Sequence, residues 1–231
     1  MTGGMAGRPT QLAVGVTSER IRAVSPAART VHKAILRAFA TTGAAPAAVT
    51  LAGAAPAGHE FAALLGELHE RDVVRLDEYG GIRAAYPFSA VPTAHTVAIT
   101  SGPTVYAMCA IDALGISDML GRAVTIASTE PTSGEPVRVS VAGGQAVWWP
   151  DTAVVVDGAD ATGIGDCCPP DDGGECAMPA ADRCCGVMNF FTSALTADAW
   201  LTAHPQVTGV ILTREQALRL SVDIFGHLLD D

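Results

Sequence analysis

Cys109 and Asp112 stand three residues apart in the run V-Y-A-M-C-A-I-D-A-L. On a helix that spacing stacks a thiol and a carboxylate one turn apart on one face. A second supply of thiol, the adjacent pair Cys184-Cys185, lies far along the chain, just ahead of Phe190-Phe191. A soft ligand, a proton carrier and a second soft ligand are the parts needed to hold a thiophilic metal and protonate something bound to it. Taken alone, Cys109 reads as a small buried hydrophobe among Val105, Tyr106, Met108, Ile111 and Leu114. Asp112 changes that weighting. A carboxylate in a helix otherwise nearly free of charge needs a partner or a proton, and burial raises its pKa toward neutral. The plainer reading of Asp112 is a cap on a backbone group or a partner for an arginine.

The pair Cys184-Cys185 is ambiguous by itself. On a strand adjacent residues face opposite ways, so at most one of the two shares a site with Cys109. Upstream, Cys167, Cys168 and Cys176 complete the pattern C-C-x7-C-x7-C-C, which lacks the paired C-x-x-C knuckles of zinc sites. A structural metal loop there stays open beside a merely exposed one. The six histidines are scattered singly. The chain shows no P-loop, no dinucleotide-binding glycine fingerprint and no G-x-S-x-G elbow.

Composition narrows the setting. With 231 residues, 49% hydrophobic and 16% charged, the chain is globular and large enough for a sizeable core. A formal net charge of −10 argues against nucleic acid and anionic lipid as partners, since both need clustered positive charge. The first twenty residues contain no apolar signal core and no apolar run reaches the ~20 residues that span a bilayer. The expected location is cytoplasmic, where the six cysteines stay reduced and read as metal-binding or catalytic.

The elements that must position these groups suggest an α+β chain. Residues 1–25 read as a flexible tail. Helices are expected over 26–42, 47–55 and 58–72, followed by a hairpin around Glu78-Tyr79-Gly80-Gly81. That order is winged-helix-like and bounds a first domain at 26–100. Its third helix, however, sets Glu60, Glu67, Glu70 and Asp72 against Arg71 alone, so a structural or lid role suits it better than reading DNA. A mixed sheet and helix domain fills 101–231. Ser101-Gly102-Pro103-Thr104 is expected to open a helix running to about Leu120 and carrying Cys109 within it. Strands are expected at 124–128, on both sides of Gly143-Gly144, at 152–156, in M-N-F-F-T-S and in V-T-G-V-I-L-T. A short helix covers 196–204, and a closing one begins at Thr213 with a capping box to Gln216. An acidic, Cys-containing loop is expected over 158–183.

The run around Cys109 and Asp112, followed by Leu120-Gly121-Arg122, resembles the active-site helix of the organomercurial (alkylmercury) lyases. The block C-C-G-V-M-N-F-F-T-S-A-L-T-A-D-A-W-L-T-A-H resembles their second catalytic-cysteine segment, with Cys184, Phe190, Phe191, Ser193, Thr196, Ala197, Trp200 and His204 at matching positions. The similarity covers about 104–121 and 184 to the C-terminus, and runs in order through the N-terminal helices, where the family has a winged-helix-like domain. Three departures stand out: Met108 where several relatives have tryptophan, no further cysteine soon after the active-site helix, and the Cys167 to Cys176 loop, which looks like an insertion.

The resemblance implies protonolysis of a carbon–mercury bond, giving a hydrocarbon and Hg(II) in a mercury-detoxifying role. It implies Cys109 and Cys184 as mercury ligands, with Cys185 the less essential neighbour, and Asp112 as proton shuttle and further mercury contact. Cys185, Cys167, Cys168 and Cys176 are secondary candidates for holding mercury. No organic cofactor or resident metal is expected. Hg(II) is the product, and free cellular thiols or a mercuric reductase would accept it. The competing reading is a mercury- or thiophilic-metal-responsive winged-helix regulator, or a relative that binds metal without cleaving.

Overall fold

The computed structural model describes residues 20–160 and 184–230. The tail expected over 1–25 ends sooner than its composition suggests: residues 20–23 are helical and Val24 is 2% exposed. Arg20 pairs with Asp72 at 2.6 Å, which ties this segment to the end of the third helix. The expected Cys-containing loop lies for the most part outside the described residues, and Cys167, Cys168 and Cys176 lie wholly so.

Helix α1 (Pro26–Thr42) starts where Ser25 accepts from Ala28 N and Pro26 supplies a pre-set φ, and it ends at Gly43 with φ +81°. Ser25 also donates its N–H and its hydroxyl to Glu67, which fastens α1 to α3 (Phe61–Glu70). Between them lie the single-turn α2 (Ala48–Leu51) and a 3-10 turn (Ala52–Ala54). The expected hairpin is present as β1 (Val74–Leu76) and β2 (Ile82–Ala85), its turn held by Asp77 Oδ1, which accepts from Tyr79 N and Gly81 N.

That hairpin does not stand apart as a wing. It continues through β3 (Phe88–Ser89) into β5 (Thr104–Ala107), β4 (Thr96–Ile99), β6 (Val124–Thr129), β7 (Pro136–Ala142) and β8 (Gln145–Trp149). The result is one eight-stranded antiparallel sheet in the order β1-β2-β3-β5-β4-β6-β7-β8. The boundary expected at residue 100 falls inside it, because Val97 on β4 pairs with Val105 on β5. The N-terminal helices share its core, with Phe39 of α1 stacked on Phe88 of β3 at 5.2 Å.

A smaller antiparallel sheet of β9 (Val154–Asp160), β10 (Phe190–Phe191) and β11 (Val207–Leu212) follows, in the order β10-β9-β11. Helix α5 (Ala194–Ala203) follows β10 and packs on this sheet, and α6 (Arg214–Phe225) closes the chain. Both begin with capping boxes, Ser193 with Thr196 and Thr213 with Gln216.

Helix α4 (Ala110–Leu120) is the central rod, with every residue from Ala110 to Ser117 buried. It begins later than the sequence suggests. Ser101, at φ +56°, and Gly102 belong to the tight β4–β5 turn, where Gly102 N donates to Ile99 O. Thr104-Val-Tyr-Ala alternates exposed and buried as a strand. Cys109 is therefore the N-cap of α4 and not a mid-helix residue.

Candidate functional site

Cys109 takes a capping position normally held by Ser, Thr, Asp or Asn. Its sulfur accepts from Asp112 N at 3.4 Å, and its S–H points at Asp112 Oδ2. Thiol and carboxyl are thus cap and third helical residue of one turn, which keeps both side chains at the helix start. Both are buried, at 1% and 4% exposure.

The second thiol arrives on a turn. Val187 N and Met188 N both donate to Cys184 O, so residues 184–188 wind instead of alternating like a strand. Met188 O accepts from Ala110 N at 2.9 Å, and that bond docks the turn directly on the first residue of α4. It carries Cys185, which is buried, inward. The ligand atoms of Cys109, Asp112 and Cys185 all lie within 4.8 Å of one another, the one such group among the described residues.

Cys184, expected as the second mercury ligand, is only half-buried and stands outside that group. The geometry groups Cys185 and not Cys184 with Cys109 and Asp112, on a segment 184–188 that winds and does not alternate as a strand. The structure leaves Cys167, Cys168 and Cys176 outside the described residues.

Burial governs the electrostatics. Asp112 is raised from 3.8 to about 7, chiefly by desolvation, with the Cys109 hydrogen bond and its own backbone N–H opposing. Its Oδ1 is buried with no hydrogen-bond partner among the described residues. Cys109 is pushed well above the usual thiol range, first by desolvation and then by the hydrogen bond with Cys185 and the Asp112 charge. The resting pair is thus a neutral thiol beside a carboxyl poised near neutrality. A soft ion binding at sulfur would expel the thiol proton outright, and the carboxylate is there to take it.

Three further residues, not marked by the motifs, brace this arrangement. Asn189 Nδ2 donates to Gly186 O at 2.9 Å and so pins the Cys185 turn. Asn189 is also hydrogen-bonded to His95, which burial lowers from 6.5 to about 4 and keeps neutral. His95 Nδ1 in turn meets Ser128 Oγ at 2.9 Å. Met188 places its Sδ 3.8 Å from Cys109 Sγ. A lone histidine in T-A-H-T-V carries no ligand spacing, and the M-N pair, though inside the second resembling block, reads as strand. Beyond it, Glu130 is buried and accepts from Thr192 N at 2.8 Å and Thr192 Oγ1 at 2.6 Å. That latches the segment after β10 to the end of β6.

Comparison with known proteins places the chain in a family. A family model described as alkylmercury lyase matches residues 88–226. Alkylmercury lyases of Bacillus cereus and Staphylococcus epidermidis are 31% and 32% identical over 147 residues, or 64% of this chain. The matched region spans 60% of the length of those relatives. Among solved structures, the mercury-bound form of MerB2 superposes with a TM-score of 0.72 at 23% identity, covering 94% of this chain and 98% of that one. That likeness is one of fold.

Proposed function

Because the chain belongs to the alkylmercury lyase family, we propose that it cleaves the carbon–mercury bond of organomercurials, releasing a hydrocarbon and Hg(II). The observation that carries this reading is the buried group of Cys109, Asp112 and Cys185, two soft ligands and one proton carrier within 4.8 Å. Mercury enters as substrate, bonded to carbon on one side and to a small thiolate on the other. Cys109 bonds to mercury and its proton passes to Asp112. Cys185 adds the second sulfur, and its proton leaves with the displaced small thiol. Two thiolates on one mercury push electron density onto the attached carbon. The Asp112 carboxyl then protonates that carbon as the carbon–mercury bond breaks, leaving Hg(II) on two thiolates. One thiol proton has gone to the hydrocarbon and the other to the leaving thiol.

No organic cofactor or resident metal enters these steps. Free thiols, or a mercuric reductase, take the ion away. We read the winged-helix-like N-terminal helices as scaffold packed on the large sheet, with no nucleic-acid or membrane partner, and the setting as cytoplasmic. Supporting the scaffold role, α1 and α3 share the core of the sheet and the acidic residues Glu60 and Glu70 at the ends of α3 are exposed. The test is headspace detection of methane from methylmercury with excess small thiol. Methane release above the protein-free rate is the expected result, and mercury binding without methane would reduce the chain to a metal-binding relative.

A further inference from the structure

Met188 places beside Cys109 a sulfur that these steps leave unused. Its Sδ stands 3.8 Å from Cys109 Sγ, and the residue is buried. Its backbone is fixed at both ends, by the bond from its N–H to Cys184 O at 3.0 Å and the bond from Ala110 N to its own carbonyl at 2.9 Å. The thioether is therefore held by the same two segments that bring the thiols together.

The spacing is informative. A tetrahedral site with metal–sulfur bonds of ~2.3 Å sets its sulfurs about 3.8 Å apart. Two sulfurs at that distance can both touch one ion placed between them. A thioether is soft and needs no deprotonation to bind, so it suits a thiophilic ion and little else found in a cell. An ordinary core methionine fills space and contacts carbon; this one presents its sulfur to a thiol in the one cluster of ligating groups among the described residues.

Resting on the two-thiol reading above, we propose that Met188 Sδ is a third soft donor to the substrate mercury, joining Cys109 and Cys185. A neutral third donor adds electron density to mercury while carbon is still attached, which favours protonation by Asp112. After cleavage it holds the Hg(II) product, yet it is weak enough to yield to an incoming thiol.

The experiment uses selenomethionine-labelled full-length protein loaded with Hg(II), read by X-ray absorption at both the selenium and the mercury edges. The expected result is a mercury neighbour on one selenium of the six methionines, absent in Met188→Leu, a near volume-conserving change. In a competition titration with a small dithiol, Met188→Leu should raise the Hg(II) Kd roughly tenfold, the scale for losing a supporting group at a metal site. The mercury edge separates the two ideas. Thiolate sulfurs on mercury with no selenium neighbour, or a wild-type Kd in Met188→Leu, overturns the role of Met188 and leaves the two-thiol site intact. Loss of the thiolate sulfurs themselves sinks the two-thiol reading, and the Met188 proposal with it.

Discussion

At the scale of single residues, the site depends on which of two adjacent cysteines turns inward. Cys185→Ser should abolish methane release, because a hydroxyl is too hard and too weakly acidic to hold mercury as a thiolate does. Cys184→Ser should keep most of the activity, its sulfur standing outside the buried group. Equal losses in the two variants would return the second sulfur to Cys184. Asp112→Asn separates binding from chemistry. Both thiols remain, so Hg(II) still binds, but an amide has no proton to give and release should fall by at least ~100-fold. The same variant has a signature in stability. Folded Asp112 titrates at about 7 against 3.8 for the free group, so its ionisation opposes folding increasingly as pH rises between those values. Denaturant titrations should show Asp112→Asn gaining on the wild type from about pH 4 to about pH 7 and levelling off above, by up to about 4 kcal/mol. A constant difference across that range would mean the carboxyl is not desolvated. Thiol and carboxylate at Cys109 and Asp112 were legible in the sequence because three-residue spacing keeps two groups together on a cap or a helix alike. The placing of Cys185 beside them was not, since it depends on a turn docked by a tertiary bond.

At the scale of elements, most strands and the cap of the closing helix follow from local pattern, whereas α5 starts two residues before the expected Thr196, at the Ser193 cap. The start of α4 does not follow either. Ser101-Gly102-Pro103-Thr104 has the composition of a helix N-terminus, yet Val105 and Ala107 are needed as inward-facing strand residues. The cap falls instead on a cysteine, a residue seldom found there. Placement of α4 against α6 depends on Gly115, where an added Cβ would lie 2.4 Å from Phe225 Cδ2 and 2.9 Å from its Cβ. The second contact is close to the α6 backbone, so turning the ring does not relieve it. Gly115→Ala should therefore destabilise the fold by about 1–3 kcal/mol despite better helix propensity, as read from a denaturation midpoint. An unchanged midpoint would show that α6 can slide. Glu130 is the matching latch on the other side. Glu130→Ala strands the Thr192 N–H and should cost about 1–3 kcal/mol. Because the latch holds the segment just after the Cys185 turn, Hg(II) affinity should drop along with stability. Stability loss with wild-type mercury affinity would confine Glu130 to a structural role.

At the scale of the whole molecule, one antiparallel sheet joins the N-terminal helices to the site and runs across the boundary read at residue 100. Helix order is local, whereas β3 bridging β2 to β5 pairs strands across the expected boundary. The shared core also buries titratable groups from both halves. His32 on α1 and His95 beside the site are each lowered from 6.5 to about 4 by desolvation. Their folded pKa values are depressed, so the unfolded chain takes up protons that the folded chain refuses. The stability they contribute is complete above pH 6.5 and is lost as pH falls toward 4. Asp112 acts in the opposite sense, since its raised pKa has the folded chain holding a proton there, and Asp157, also raised by burial, adds to it. Two histidines against these carboxyls leave a shallow acid limb. His32→Gln should flatten or reverse it, removing up to about 1.4 kcal/mol per pH unit of slope between pH 6.5 and 4. His32 has a buried Nε2 with no hydrogen-bond partner among the described residues and lies outside the mercury cluster, so methane release at pH 7 should be untouched. Urea denaturation at pH 4.5, 5.5 and 6.5 would read the slope. If the variant and the wild type lose stability in parallel, acid sensitivity arises elsewhere than in the buried imidazole of α1.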